Sequence, residues 1–277
     1  VVPHYPGEVG LCTDFFQIAQ KMFSRTKQME VGSAVLSILA SGGPIAIAER
    51  VGAFLAIHGL EENEKRRLHI GFSAGRFEFM ARPYGIVPRD KLEEVSWPAL
   101  RGQIFAEASE IFLRLLNGEV ISSDMISSTI LTRDNFRSNE DWLNVQITAK
   151  ELNELEMLPE KIEIPNRYNF EQIKTIPQDW RRDLLNLVLG SHDPNLQIEV
   201  NKWRPVQVFN LSITPPHIIE ETHKRMRHNY HPDGGIWNRS MMPRTIMVFV
   251  NNEEGLSPEE QSIAARKEAE AALNTYW

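Results

Sequence analysis

Three short stretches of this chain place chemically able residues where an apolar run ends, and a fourth candidate stands near the N-terminus. Gly71-Phe72-Ser73-Ala74-Gly75-Arg76 offers a hydroxyl, small residues and a guanidinium. Such a loop can admit a flat ring or a phosphate, with Arg76 as a charged fork. Gly190-Ser191-His192-Asp193 and Ser212-Ile213-Thr214 each close an apolar run with hydroxyls and amides, which suits either an anion site or ordinary helix caps. His4 follows a first short apolar run, a position from which a parallel barrel points catalytic groups at its ligand. Each stretch also has a plain structural reading. Glycines punctuate turns, no G-x-G-x-x-G stands here, and no lysine follows Ser41-Gly42-Gly43-Pro44 to make a P-loop. His228, His231 and Asp233 have the types that ligate metals, but they fall among Pro and Gly at a helix end, where the helix dipole also favours histidine. A polar loop is the better reading there, and no metal site is expected.

These residues must be positioned by a strand, helix, strand unit between Met29 and Arg82. MEVGSAVLSIL is apolar and β-branched; SGGP then leads into IAIAERVGAFLAIHG, where Pro44 suits the first helical turn and Gly59 the C-terminal cap. RRLHIGFSAGRFEF supplies the second strand. A helix of this length between two strands implies a right-handed crossover and a parallel sheet, whose ligands sit beyond the carboxyl ends of its strands. The expected functional surface is therefore Val35–Ser41 together with Ser73–Arg82.

The remaining elements extend the pattern. Thr13 or Asp14 can cap a helix carrying Phe15, Ile18, Ala19, Met22 and Phe23 on one face, and Leu100, Ile104, Ala108, Ile111 and Leu115 mark a helix from Trp97 to Asn117 that Gly118 ends. Ser257 and Glu260 form a capping box for a last helix. Parallel strands are expected near 1–4, 29–37, 68–73, 184–190, 205–213 and 244–250. An open doubly wound sheet accommodates these six as they stand, whereas a closed barrel of eight needs one strand before Val1 and another after Trp277. Within one domain spanning 1–277, residues 119–180 read as an irregular excursion above the sheet, with ISSDMISSTIL, WLNVQI and KIEIP as short β-prone pieces.

Composition narrows the partners. The net charge of -7 is spread without basic blocks, which argues against nucleic acid and for a small-molecule substrate. No apolar run reaches the roughly 18 residues that span a bilayer, and the single Cys12 cannot form an intrachain disulfide, so a cytoplasmic enzyme is expected. The helices at 13–24 and 44–58 carry Phe15, Phe16, Ile45, Phe54 and Ile57 spread around them, an apolar surplus that predicts a homodimer through this side.

Taken in order, these segments resemble the bacterial luciferase-like flavin monooxygenase superfamily. His4 followed by VGSAV is similar to the family's strand-two histidine and its VGTA-type strand-three end. PIAIAERVGAF resembles its P-x-x-x-A-E helix, and LHIGFSAGRFEFMARPYGI its strand-four G-x-x-x-G loop. The resemblance spans the chain loosely and is most specific from Met29 to Gly118. It implies a (β/α)8 barrel that lacks its first and last strands here, reduced FMN or a deazaflavin at the carboxyl ends of the strands, a separate flavin reductase as partner, and a non-proline cis bond between Ala34 and Val35. It further implies that Ser73, Ala74 and Gly75 border the ring, that Arg76, Ser191 and Ser212 hold the phosphate, that His4 stands near the reacting atoms, and that Phe77, Phe79 and Met80 wall the substrate from water. Two departures stand out: Ala74 occupies the usual arginine position, so that Arg76 must substitute, and Pro3-His4-Tyr5 lacks the acidic neighbour of the family histidine.

Overall fold

The computed structural model describes residues 14–276 except 41, 76, 78–80, 212, 246 and 247, and for Ala34, Leu273, Thr275 and Tyr276 the backbone alone. The expected strand at 1–4 and His4 lie outside the described residues.

The strand, helix, strand unit forms much as its turn chemistry dictates. Helix α1 (Phe15–Arg25) starts where Asp14 accepts the Gln17 amide, and β1 (Val31–Ser37) follows. Helix α2 (Gly43–His58) takes Pro44 in its first turn and ends at Gly59; β2 (Leu68–Ser73) comes next. Helix α3 (Lys91–Leu116) begins six residues before the expected Trp97, because the Asp90 carboxylate caps it by accepting from the Glu93 amide at 2.8 Å. Pro98 sits inside it.

Strands β5 (Leu185–Leu189) and β6 (Val206–Val208) complete a parallel sheet ordered β1-β2-β5-β6. A parallel bridge between Asn210 and Arg244 extends it by one step, and among the described residues this bridge is what remains of the strand expected at 244–250. The order follows the sequence without the reversal that marks a doubly wound sheet. Alternation then separates two faces. Leu68, Ile70, Phe72, Leu187, Leu189, Val206 and Val208 are buried, with the Phe72 ring tilted against the Phe105 and Phe112 rings of α3. The other face carries His69, Gly71, Ser73, Asn186, Val188 and Gln207. Across it Glu30 pairs with His69 Nε2 at 2.7 Å, His69 Nδ1 meets Asn186 Nδ2 at 2.9 Å, and Asn186 donates to Gln207 at 3.2 Å.

Residues 119–180 depart from expectation in two ways. WLNVQI belongs to a helix, α4 (Asn139–Leu152), capped by Ser138, while β3 (Thr129–Leu131) and β4 (Ile162–Ile164) pair antiparallel on either side of it. The segment also packs on the outside of the helices instead of over the strand ends. Arg89 donates to the carbonyls of Pro165 and Asn166, Thr175 to that of Leu115, Trp180 lies against Gly52, and Arg181 lies against Gly59. Residues 165–181 thus run down the outer groove between α2 and α3, from the start of both helices to their ends.

Helix α5 (Pro194–Glu199) separates β5 from β6, and α6 (Pro216–Asn229) and α7 (Pro258–Tyr276) complete the chain. Much of the apolar surplus of α1 and α2 is used internally: Phe54 sits 6.0 Å from the rings of both Phe16 and Phe23, and Ile57 is the one of the five named residues left widely exposed, at 61%. No described helix is long and apolar enough to cross a membrane.

Candidate functional site

At the carboxyl rim the structure brings together three of the segments singled out by sequence. Gly190 lies where a β-carbon would stand 2.8 Å from Val35 Cγ1, 3.1 Å from Ser73 Cβ and 3.4 Å from the Phe72 carbonyl. Val35 belongs to β1 and Gly190 follows β5, so the Val35 side chain reaches across the end of β2 to meet it. It does so from an irregularity: the β1–β2 register passes from Ser33↔Ile70 to Leu36↔Phe72, which sets one extra residue in β1. Such a bulge re-aims side chains. Among the residues described with side chains the cis bond is Ile176–Pro177; the expected Ala34–Val35 bond, inside β1, involves Ala34, which is not one of them.

The loop after β2 is tied down by short bonds. Ser73 Oγ accepts from the Gly75 amide at 3.0 Å, the Ser73 carbonyl accepts from Ile38 N at 3.2 Å, and Ser37 Oγ donates to the Ala74 carbonyl at 3.1 Å. Gly75 has φ +66°, in the left-handed region that favours glycine. Phe77 packs edge-on to Trp97 at 5.7 Å and against the core, which fastens this loop to α3. Ser191 Oγ accepts from the Asp193 amide at 3.2 Å, and Asp193 in turn caps α5. Arg76, Phe79, Met80 and Ser212 lie outside the described residues.

Two buried carboxylates anchor the outer segment near this rim. Glu93, 3% exposed, receives Arg89 and Arg167, the latter at 2.9 Å. Glu107 accepts the Arg167 and Tyr168 amides, both at 2.9 Å; burial nevertheless holds its pKa above the usual carboxylate range. Tyr168 reaches the β1–α2 corner, its ring in van der Waals range of a β-carbon on Gly43. Burial, reinforced by the charge of Glu107, pushes its phenol pKa up. A cleft of about 210 Å³ on the side of α3, lined by Glu107, Glu110, Ser127, Leu196 and Trp203, is less suited to a ligand. Arg114 and the Ser127 amide occupy Glu110, as the two strap amides occupy Glu107. Among the described residues no three His, Cys, Asp or Glu are grouped to hold a metal; His231 accepts the Asp233 amide at 3.2 Å and caps a turn.

Sequence reasoning named Val35 and Ser73 but not their contact with Gly190, nor the Ser33 and Ser37 hydroxyls that bind β1 to β2. Serines inside an otherwise apolar strand are the only local signal of the latter.

The fold and this rim define a mixed α/β protein with a parallel sheet whose carboxyl ends form a small-residue site. In fold it is similar to the monooxygenase RslO1 from Streptomyces bottropensis, with a TM-score of 0.56 and 14% sequence identity over 95% of this chain. The match covers 63% of that protein, so the chain spans less than two thirds of its length. No family model and no curated protein sequence matches the chain.

Proposed function

We propose that this chain is a luciferase-like flavin-dependent monooxygenase that uses reduced FMN and dioxygen to oxidise a small organic substrate. The observation that carries the reading is the convergence of Val35, Ser73 and Gly190 at the carboxyl rim, within a fold similar to that of a monooxygenase. The architecture proposed with it is a (β/α)8 barrel. Parallel sheets are normally covered on both faces, and closure into a barrel would place the His69–Asn186–Gln207 face inside.

The residues present suit a planar ring. Gly190 contributes no side chain, Ser73, Ala74 and Gly75 are small, and Val35, 41% exposed, offers an apolar contact. Ser73 Oγ accepts from Gly75 and keeps its own proton to donate. Bound reduced flavin supplies the electrons that activate dioxygen. In this reading Ala34, Val35, Ser73, Ala74 and Gly75 border the ring, while Arg76, Ser191 and Ser212 take the phosphate. Phe77, Phe79 and Met80 face the substrate, and the His4 imidazole holds or delivers a proton. A separate flavin reductase, a homodimeric assembly and a cytoplasmic location complete the proposal.

The test is the spectrum and mass of the cofactor that the purified chain takes up, followed by oxygen uptake with candidate substrates and reduced FMN. Substrate-dependent oxygen uptake supports the reading. Uptake of a deazaflavin with hydride transfer and no oxygen use would replace it by a deazaflavin-dependent oxidoreductase. Flavin binding without turnover would leave a non-catalytic flavin-binding protein.

A further inference from the structure

The extra residue in β1 interrupts the strand ladder opposite Gly71, which the β1–β2 register skips between Ile70 and Phe72. Backbone groups left unpaired inside a sheet are costly, and bulges loosen register unless something holds them. Here a side chain replaces the missing ladder. The Ser33 hydroxyl donates to the Gly71 carbonyl at 3.2 Å and accepts from the Gly71 amide at 3.1 Å. One hydroxyl thus satisfies both backbone groups of Gly71 on the β1 side, immediately before the bulge that carries Val35 toward Gly190.

We propose that Ser33 is a positioning residue for the rim site: its hydroxyl splints the β1 bulge in the shape that lays Val35 across the end of β2 onto Gly190. An alanine at 33 leaves the bulge without its bonds to Gly71 and lets β1 pair in a different register or swing Val35 away. The geometric part stands on the bonds to Gly71 alone. Its consequence for a bound ring rests on the reading of the rim as a flavin site.

The experiment compares the full chain with Ser33→Ala and Ser33→Thr, using valine-methyl labelling. It reads the cross-peak between the Val35 methyls and the Gly190 α-protons, hydrogen exchange at the Gly71 amide, and riboflavin affinity from fluorescence quenching. Ser33→Ala, which removes both bonds to Gly71, should lose the cross-peak, speed exchange at Gly71 about tenfold and weaken riboflavin about tenfold, a change of roughly 1.4 kcal/mol. Core methyls of Val51 and Val145 should not shift. Ser33→Thr, which keeps the hydroxyl, should restore all three readings. An unchanged cross-peak and unchanged Gly71 protection in Ser33→Ala overturn the proposal. If Ser33→Ala does not fold, Ser33→Cys, with its weaker donor, supplies the same comparison with smaller changes. A wild-type chain that takes up no riboflavin defeats the flavin reading, while the cross-peak and exchange data still decide the role of Ser33.

Discussion

Trp237 Nε1 donates to His223 Nδ1 at 3.0 Å, inside a small core made with Val208, Met226 and Met242. With Nδ1 accepting, the imidazole is neutral and carries its proton on Nε2. Burial is the main force lowering its pKa; Arg239 and Arg227 add to it, and Glu220 pulls the other way.

This pair should make stability fall in acid. Because the folded pKa lies below the unfolded value of about 6.5, the unfolded chain takes up the proton first. The contribution is complete above that pH and is lost as pH drops through the folded value. Thermal melts of the wild type and His223→Gln between pH 7.5 and 5 check it: the wild type should lose more on acidification, with Trp237 fluorescence following the change. Parallel slopes would refute the assignment.

Gly190→Ala should cost about 1–3 kcal/mol, the range for overpacking a well-filled position, because the new methyl meets Val35 and Ser73 at once. Ser191→Ala, next along the chain, removes one turn bond and should cost about 1 kcal/mol or less. Urea unfolding of both variants separates the two effects.

Arg167→Met should destabilise the segment along α2 and α3 by about 1.5–3 kcal/mol, the value of a hydrogen bond to a charged group, since buried Glu93 then keeps only Arg89. Limited proteolysis should find new cleavage between 165 and 181 before the parallel sheet is lost. Unaltered protection would mean that the segment is held by its apolar contacts alone.

Arg76→Ala should weaken FMN by about ten- to a hundredfold and leave riboflavin nearly unchanged, because only the phosphate needs a charge-assisted partner worth about 1.5–3 kcal/mol. Equal losses for both ligands would remove Arg76 from the phosphate role.

Much of the sheet was legible because apolar runs stop at residues that cannot continue them. The ends of β1, β2 and β5 fall at Ser37, Ser73 and Leu189, beside the small residues that predicted them. Local signals misled where they compete. WLNVQI looks β-prone, yet Ser138 as cap and the acidic first turn of Glu140 and Asp141 make it helical. The helix expected from Trp97 begins instead at Lys91, where Asp90 caps it.

The site was half legible for the same reason. Its segments could be named from strand ends, but the Val35–Gly190 contact depends on an extra residue in β1 that no residue type announces. Likewise, an apolar surplus on two helices is visible in sequence, whereas the pairing of Phe16 with Phe54 that absorbs much of it is a tertiary fact.

The chain of bonds from Glu30 through His69 and Asn186 to Gln207 has a consequence for how the protein finds its fold. His69 and Asn186 are 117 residues apart, and parallel strands this distant are slow to meet. Apolar neighbours such as Leu185 and Leu187 would tolerate several alignments. A slip of one residue, however, would set a leucine against His69 and turn Asn186 toward the helices, so that Asn186 would lose His69 and Gln207 together. The row therefore works as a key: it rewards one alignment of the strands, and the same alignment delivers Val35, Ser73 and Gly190 to a common rim.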